Sequence, residues 1–255
     1  MLLAIDIGNT DTTLGVFAGD KLRATWHMAS GVRRTADEYA ALIINLMHQQ
    51  GLDITDIKAV AMCSVVPPAM STFDELFQHY FHIEPLVVGT GVKTGVRIRM
   101  DNPREVGTDR IVNAAAAHQL YGGPVIVTDL GTATTFDTVS KEGDYLGGAI
   151  APGIMTAAEA LFTRTAMLPR VDLTSPQRAI GTNTVAAMQS GIIFGYVGLI
   201  EGIVARIQKE LGEKAKVVAT GGYASLVAKE TAIFDEINPN LTLIGLRLIY
   251  QMNRD

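Results

Sequence analysis

LLAIDIGNTDTTLGVF (residues 2–17) is an apolar strand that runs into an Asp-x-Gly turn and out into a second strand, and VIVTDLGTATTFDTV (residues 125–139) repeats the pattern. Asp129 lies 123 residues after Asp6, and the same offset aligns Gly8 with Gly131, Thr12 with Thr135 and Val16 with Val139. One such copy alone reads first as an ordinary hairpin, where Asp and Gly serve the turn and nothing else. Two copies in register, each after a buried-looking strand, put both turns at the carboxyl ends of strands, where open α/β sheets hold their ligands. Glycine lets backbone approach a phosphate, hydroxyls and amide N–H groups donate to its oxygens, and a carboxylate holds a cation or orients water. The duplicated stretch therefore reads as a phosphate clamp, suited to nucleotide cleavage or transfer.

A repeat of about half the chain in 255 residues predicts two similar α/β halves with a nucleotide cleft between them, divided into 1–119 and 120–255. Composition is that of a globular enzyme: 48% hydrophobic, 18% charged, with 21 Lys and Arg against 26 Asp and Glu for a net charge of −5. This acidic balance, with no basic tract beyond the pair Arg33-Arg34, argues against a nucleic-acid partner. Met1 leads straight into a strand, and no uninterrupted apolar run looks long enough to span a bilayer, so the expectation is a cytoplasmic protein without a membrane partner. The single cysteine, Cys63, excludes an internal disulfide and reads as a small core hydrophobe in Ala59-Val60-Ala61-Met62-Cys63. The five histidines show no metal-ligand spacing.

Strands are expected at Leu2 to Ile7, Thr12 to Phe17 and Lys21 to Met28. A helix from about Thr35 to Gln50 follows, with Thr35 and Glu38 as a capping box, then a strand at Ile57 to Ser64, a helix near Ala69 to Tyr80 and a short strand at Leu86 to Val88. After a helix at Asp109 to Leu120 the second half repeats the theme. Strands at Val125 to Leu130, Thr134 to Val139 and Tyr145 to Ile150 precede helices at Gly153 to Ala166 and Thr184 to Leu211. A strand at Lys216 to Ala219 ends at Thr220-Gly221-Gly222, and helices near Tyr223 to Lys229 and Leu243 to Met252 close the chain. Neither a P-loop nor a strand-to-helix G-x-G-x-x-G occurs.

The duplicated hairpin with the late Gly221-Gly222 resembles the phosphate-1, phosphate-2 and adenosine motifs of the superfamily of actin, Hsp70 and the sugar kinases, which implies two ribonuclease H-like (actin-like ATPase) domains. Within it, Gly107-Thr108-Asp109-Arg110, preceded by Asp101-Asn102-Pro103-Arg104-Glu105-Val106, resembles the signature of type III pantothenate kinase. Arg34-Thr35-Ala36-Asp37-Glu38-Tyr39, Ser64-Val65-Val66-Pro67, Gly147-Gly148-Ala149-Ile150-Ala151-Pro152-Gly153 and Asn183-Thr184 agree, so the likeness covers nearly the whole chain.

The resemblance implies transfer of the γ-phosphoryl of ATP to pantothenate, the first step of coenzyme A biosynthesis. It implies ATP contacts at Asp6, Ile7, Gly8, Asn9, Thr10, Asp11, Thr12, Thr13, Thr132, Gly221 and Gly222. It places Mg²⁺ at Asp6, a monovalent cation (K⁺ or NH4⁺) at Asp129, pantothenate at Met100, Gly107, Thr108, Asp109, Arg110 and Thr184, and implies a homodimer. Met100 stands where an aromatic is common and Thr108 where alanine is common. Asp109 is the implied base, since a kinase of an alcohol needs a carboxylate to accept the hydroxyl proton; a carboxylate in a first helical turn is equally explained by the helix dipole. Thr184 serves equally as a helix cap, and Gly221-Gly222 as a strand-to-helix turn. A kinase of another small alcohol and a nucleotide-binding regulator on the same fold are the alternatives, and Asp109-Arg110 is a pair that a pure nucleotide switch has no need to place.

Overall fold

The computed structural model describes residues 1–30 and 34–254, so Arg33 of the Arg33-Arg34 pair lies outside the described residues. The chain forms two compact units: Met1–Val96 with Asn102–Ala116 and Leu241–Asp255, and Arg97–Asp101 with Ala117–Asn240.

The first unit is built on β1 (Leu2–Ile7), β2 (Asp11–Ala18), β3 (Lys21–Ala29), β4 (Ala59–Ser64) and β5 (Leu86–Val87), in the order β3-β2-β1-β4-β5. The first three form an antiparallel meander, and β4 and β5 add in parallel. Period-2 alternation sends Leu3, Ile5 and Ile7 to one face, where they meet Tyr39, Ile43 and Met47 of α1 (Ala36–Gln49) and Phe73 and Leu76 of α2 (Pro67–Leu76). Leu2 and Ala4 go to the other face, against Val112 and Ala115 of α3 (Thr108–Tyr121) and Leu243, Leu246 and Ile249 of α7 (Leu241–Met252). Burial on both faces is why β1 reads as an unbroken apolar run rather than an alternating one.

The second unit repeats this plan. Its strands are β6 (Arg97–Ile98), β7 (Val125–Leu130), β8 (Ala133–Val139), β9 (Asp144–Pro152), β10 (Lys216–Thr220) and β11 (Glu236–Ile237), in the order β11-β10-β7-β8-β9-β6. The run β9-β8-β7-β10-β11 matches β3-β2-β1-β4-β5 in pairing sense, and β6 is an addition at the far edge. Ile126, Leu130 and Phe136 pack beneath α4 (Ile154–Arg164) and the long α5 (Thr184–Leu211), and the four-residue α6 (Ala224–Val227) completes the unit.

The strand registers refine the repeat. Ile7 pairs with Thr12, leaving residues 8–11 in the first turn, whereas Leu130 pairs with Thr134, leaving 131–133 in the second. The second turn is one residue shorter, so the counterpart of Thr12 is Thr134 and that of Phe17 is Val139; the alignment of Thr12 with Thr135 and Val16 with Val139 is corrected. Burial agrees, because Thr12 and Thr134 are both at 0% exposure.

Most expected elements are present, including the α1 capping box of Thr35 and Glu38. Helix α2 begins at Pro67 rather than Ala69, since proline at the first helical positions forfeits no needed donor, and it relaxes into a π turn over Phe77–Phe81. The two-residue strands β6 and β11 were not expected, being too short to show alternation. Helix α5 passes, by length and composition, as one that could cross a membrane. The expectation concerned an uninterrupted apolar run, and α5 is interrupted by Gln189, Ser190 and Glu201. Its residues Met188, Ile192, Ile193, Tyr196, Ile200 and Val204 are buried in the second unit, as in a core helix. Helix α7 packs with the first sheet and belongs to the first unit, whereas a cut at 119/120 leaves it with the second half.

Leu246 is fully buried among Leu2, Phe17 and Val112. Leu246→Ala is expected to destabilise the protein by about 2–5 kcal/mol, read as a lower urea midpoint. A loss below about 1 kcal/mol would show that α7 is not part of that core.

Candidate active site

Asp6 closes the alternation of β1 on the face of Leu2 and Ala4, the side covered by α3. Two residues on, Gly8 N–H donates to Asp11 O at 3.0 Å, and a Cβ on Gly8 would stand 2.9 Å from that oxygen, so the tight turn requires glycine. The turn presents Asn9, Thr10 and Asp11 to solvent. Thr10 O accepts from Ser30 N–H at 2.8 Å, the buried Thr12 hydroxyl lies 2.8 Å from Ser30 Oγ, and Thr13 Oγ1 lies 3.2 Å from His27 Nδ1. Thr12 is thus a pin between β2 and the end of β3, and Ile7, its side chain in the core, offers a ligand only backbone.

Parallel pairing of β1 with β4 sets Cys63 opposite Asp6, and the Cys63 thiol donates to Asp6 Oδ1 at 3.3 Å. Helix α3 starts beside the end of β4, where Thr108 Oγ1 donates to Ser64 O at 3.0 Å. Asp109 follows in the first turn, its Oδ1 accepting from Arg110 N–H at 2.8 Å and standing 2.5 Å from where a Cβ on Gly107 would be. The carboxylate folds back over Gly107, and any side chain there would displace it.

Asp6, Cys63 and Asp109 therefore share one end of the first unit, and their titration reflects it. Asp6 is partly open at its surface, yet burial, reinforced by the negative charge of Asp109, raises its pKa from 3.8 to about 7 against the opposing hydrogen bond from Cys63. Burial also raises Asp109, resisted by the Arg110 backbone N–H and the Arg110 guanidinium. Burial and the two carboxylates push the Cys63 thiol up, so it stays a donor. Cys63 is therefore more than the core hydrophobe expected of it. Nothing in its apolar run signals this, because the neighbour that matters belongs to another strand. Among the described residues no three His, Cys, Asp or Glu side chains gather as a ready-made metal cage. One carboxylate beside an open turn suits Mg²⁺, which keeps waters and takes phosphate oxygens for its remaining ligands.

In the second unit Asp129, the penultimate residue of β7, lies in parallel register with Thr220 of β10. Gly221 follows with φ +89°, and a Cβ there would stand 2.4 Å from Asp129 Oδ1 and 2.7 Å from Leu130 N. The structure thus joins Asp129 to the Gly221-Gly222 turn; Tyr223 N–H donates to Leu130 O at 3.2 Å, and Gly222 is exposed. Thr132 is exposed while its carbonyl accepts from Gly153 N–H at 3.1 Å and from Thr156 Oγ1 at 2.8 Å. A Cβ on Gly153 would fall 2.3 Å from Thr132 O, so Gly153 and Thr156, unnoticed as site residues in the sequence, support this turn.

Met100 and Thr184 have other neighbours. The Met100 sulfur lies against Gly147 of β9, 2.9 Å from where a Cβ would sit. Thr184 is the exposed first residue of α5, but the cap is Asn183, whose side chain accepts from Ala186 N–H at 2.9 Å. Thr184 lines an apolar groove of about 590 Å³ with Leu161, Leu168 and Met188. A second concavity of about 500 Å³ lies between β9 and the end of α5, and neither is lined by Asp129, Thr132 or Gly221.

The family model for type III pantothenate kinase matches residues 2–206. The chain belongs to the type III pantothenate kinase family. A type III pantothenate kinase of Dehalococcoides mccartyi (strain CBDB1) is 58% identical over 99% of this chain and 96% of its own. One of Geobacillus sp. (strain WCH70) is 50% identical over 100% and 99%. Among solved structures, the activator of 2-hydroxyisocaproyl-CoA dehydratase from Clostridium difficile, solved with bound ADPNP, superposes with a TM-score of 0.56 at 13% identity, covering 98% of this chain and 94% of that one. That likeness speaks for the fold alone, which is that of actin-like ATPases.

Because the folded pKa of Asp6 lies above its unfolded value, its contribution to stability is present below about pH 4 and is lost as pH rises through about 7. A cation at Asp6 favours the charged form, so Mg²⁺-ATP binding at pH 6.5 is expected to release protons, read by calorimetry in buffers of differing ionisation enthalpy. Asp6→Asn should abolish most of that release; equal release from both proteins would place the titrating group elsewhere.

Proposed function

We propose that this chain transfers the γ-phosphoryl group of ATP to the primary hydroxyl of pantothenate, with Asp109 as the general base and the turns at Asp6 and Asp129 both handling the triphosphate. That it is a pantothenate kinase, an ATP-dependent phosphotransferase of coenzyme A biosynthesis, follows from family membership along the chain. The assignment of roles is carried by one observation: Asp109, its pKa raised by burial, shares an end of the first unit with Asp6 and the exposed 9–11 turn.

Phosphoryl transfer asks little covalent chemistry of a protein, so positioning and charge do most of the work. Asp109 accepts the hydroxyl proton, the alcohol oxygen bonds to the γ-phosphorus, and the bond to the β–γ bridging oxygen breaks to leave ADP. A carboxyl raised toward neutrality is a better base than an ordinary one. Arg110 lies beside it to meet substrate or migrating charge. Gly107 keeps the carboxylate folded into place, and Thr108 anchors the helix start to β4.

The exposed tip at Asn9, Thr10 and Asp11, the backbone of Ile7 and Gly8, and the hydroxyls of Thr12 and Thr13 are assigned to ATP, with Thr12 acting through the turn it pins. Mg²⁺, when bound at Asp6, offsets phosphate charge. In the second unit Thr132 is assigned to the phosphates and Gly221-Gly222 to the adenosine. Asp129 is assigned to a monovalent cation, K⁺ or NH4⁺. Met100 and Thr184 are assigned to pantothenate; Thr184 has been relieved of the cap by Asn183, which leaves its hydroxyl for that part.

A homodimer and a cytoplasmic location complete the reading. The apolar groove along α5 is lined by the exposed Leu161, with Phe162, Met167, Ile180 and Val185 also exposed in that unit, which supports a self-association face.

Asp109→Asn keeps shape and helix position but removes the proton acceptor, so kcat is expected to fall roughly 10²–10⁴-fold while the ATP analogue still binds. Turnover within a few-fold of the unmodified protein would remove Asp109 from the role.

Replacing potassium by sodium at fixed ionic strength is expected to weaken ATP use, and Asp129→Ala to erase the difference between the salts. Identical rates in both salts for the unmodified protein would take the cation away from Asp129.

A further inference from the structure

The first unit carries a concavity of its own at the opposite end of β1 from Asp6, where β1 starts, β2 finishes and β4 begins. It encloses about 270 Å³ and is lined by Met1, Phe17, Lys58, Arg247, Tyr250 and Arg254 among others, with no Asp or Glu among its described lining. The hollow thus gathers the cationic side chains of Lys58, Arg247 and Arg254 in a chain of net charge −5, with the Asp20 carboxylate paired to Arg247 beside it. The six residues of β1, at about 3.3 Å each, separate it from the Asp6 turn, so it is distinct from the catalytic end.

Arg247 sets its chemistry. The residue is only 9% exposed, and its guanidinium lies over the Phe17 ring at 5.6 Å from the centroid. Its described acceptors, Asp20 and Gln251, both engage Nη1, and the buried Nε has no partner. Asp20 is itself 82% exposed, so water screens the carboxylate that balances this charge. The Met1 ammonium donates to Asp56 O at 2.6 Å, and Lys58 and Arg254 are exposed at the rim. A guanidinium carries five donors in a planar fork that suits phosphate oxygens, and here more donors are present than acceptors.

We propose that this hollow binds a small soluble phosphate monoester, its phosphate held between Arg247 and the rim cations Lys58 and Arg254, and its carbon part against Phe17 and Tyr250. The volume admits a phosphate with a few attached carbons and is too small for a nucleoside triphosphate.

The test is a titration of the full-length protein, with Mg²⁺ and a non-hydrolysable ATP analogue saturating the catalytic end, by glycerol 3-phosphate and by inorganic phosphate at constant ionic strength. Binding is followed through the backbone amide signals of Lys58, Tyr250 and Gln251. Saturable shifts are expected with both probes, tighter for glycerol 3-phosphate, with affinity falling at least about tenfold in a Lys58→Ala/Arg254→Ala variant that keeps its kinase rate. Both substitutions are at exposed positions, so the fold is expected to persist, and retained activity verifies it. Arg247→Lys, which keeps the charge but loses the fork, should weaken binding again. Shifts that chloride reproduces at equal ionic strength, shifts unchanged in the double variant, or none at all would each overturn the proposal.

Discussion

Burial of β1 on both faces is the constraint on which the rest of the first unit depends. With Leu3, Ile5 and Ile7 against α1 and α2, and Leu2 and Ala4 against α3 and α7, the strand cannot slip by one residue without exchanging its two faces. Its register against β2 and β4 is thereby held, and so is the position of the carboxylate at its end. Asp6 inherits a place where the apolar core stops and α3 begins.

The electrostatics of the candidate site follow from that placement. A carboxylate at the margin of a core has lost part of its hydration, and Asp109 adds a second negative charge to the same region. Cys63 answers in part by donating to Asp6, and it does so as a thiol because the same burial and charges keep it protonated. The cation proposed at Asp6 and the proton proposed for Asp109 would each relieve part of this crowding of charge. Raised carboxyls of this kind cluster at functional sites, which is why the proposed roles of Asp6 and Asp109 are placed here.

The second unit solves the same geometric problem with different contents. Its turn is one residue shorter, and its carboxylate stands beside Gly221, whereas that of Asp6 stands beside a thiol and a second acid. Two copies of one strand-turn-strand have diverged in what surrounds the aspartate, which matches the distinct cation assignments proposed for Asp6 and Asp129. The basic hollow at the other end of β1 arises from the same architecture. Strand starts, like strand ends, leave the core open, and α7 brings Arg247 there.

By itself the sequence determined the repeat, the strand-turn-strand units, the α1 cap and the family, because each rests on residues close together in the chain or on motifs whose spacing is local. The Gly107–Arg110 segment was legible for the same reason. What lay beyond it was set by contacts between residues far apart in sequence. The one-residue difference between the turns emerged only from cross-strand pairing. The thiol at Asp6 depended on β4 lying beside β1, the approach of Gly221 to Asp129 on β10 lying beside β7, and the apolar length of α5 on being packed in a core. Helix α7 joined the first sheet because its apolar stripe fits the face left beside α3, a choice made by packing that no local pattern encodes.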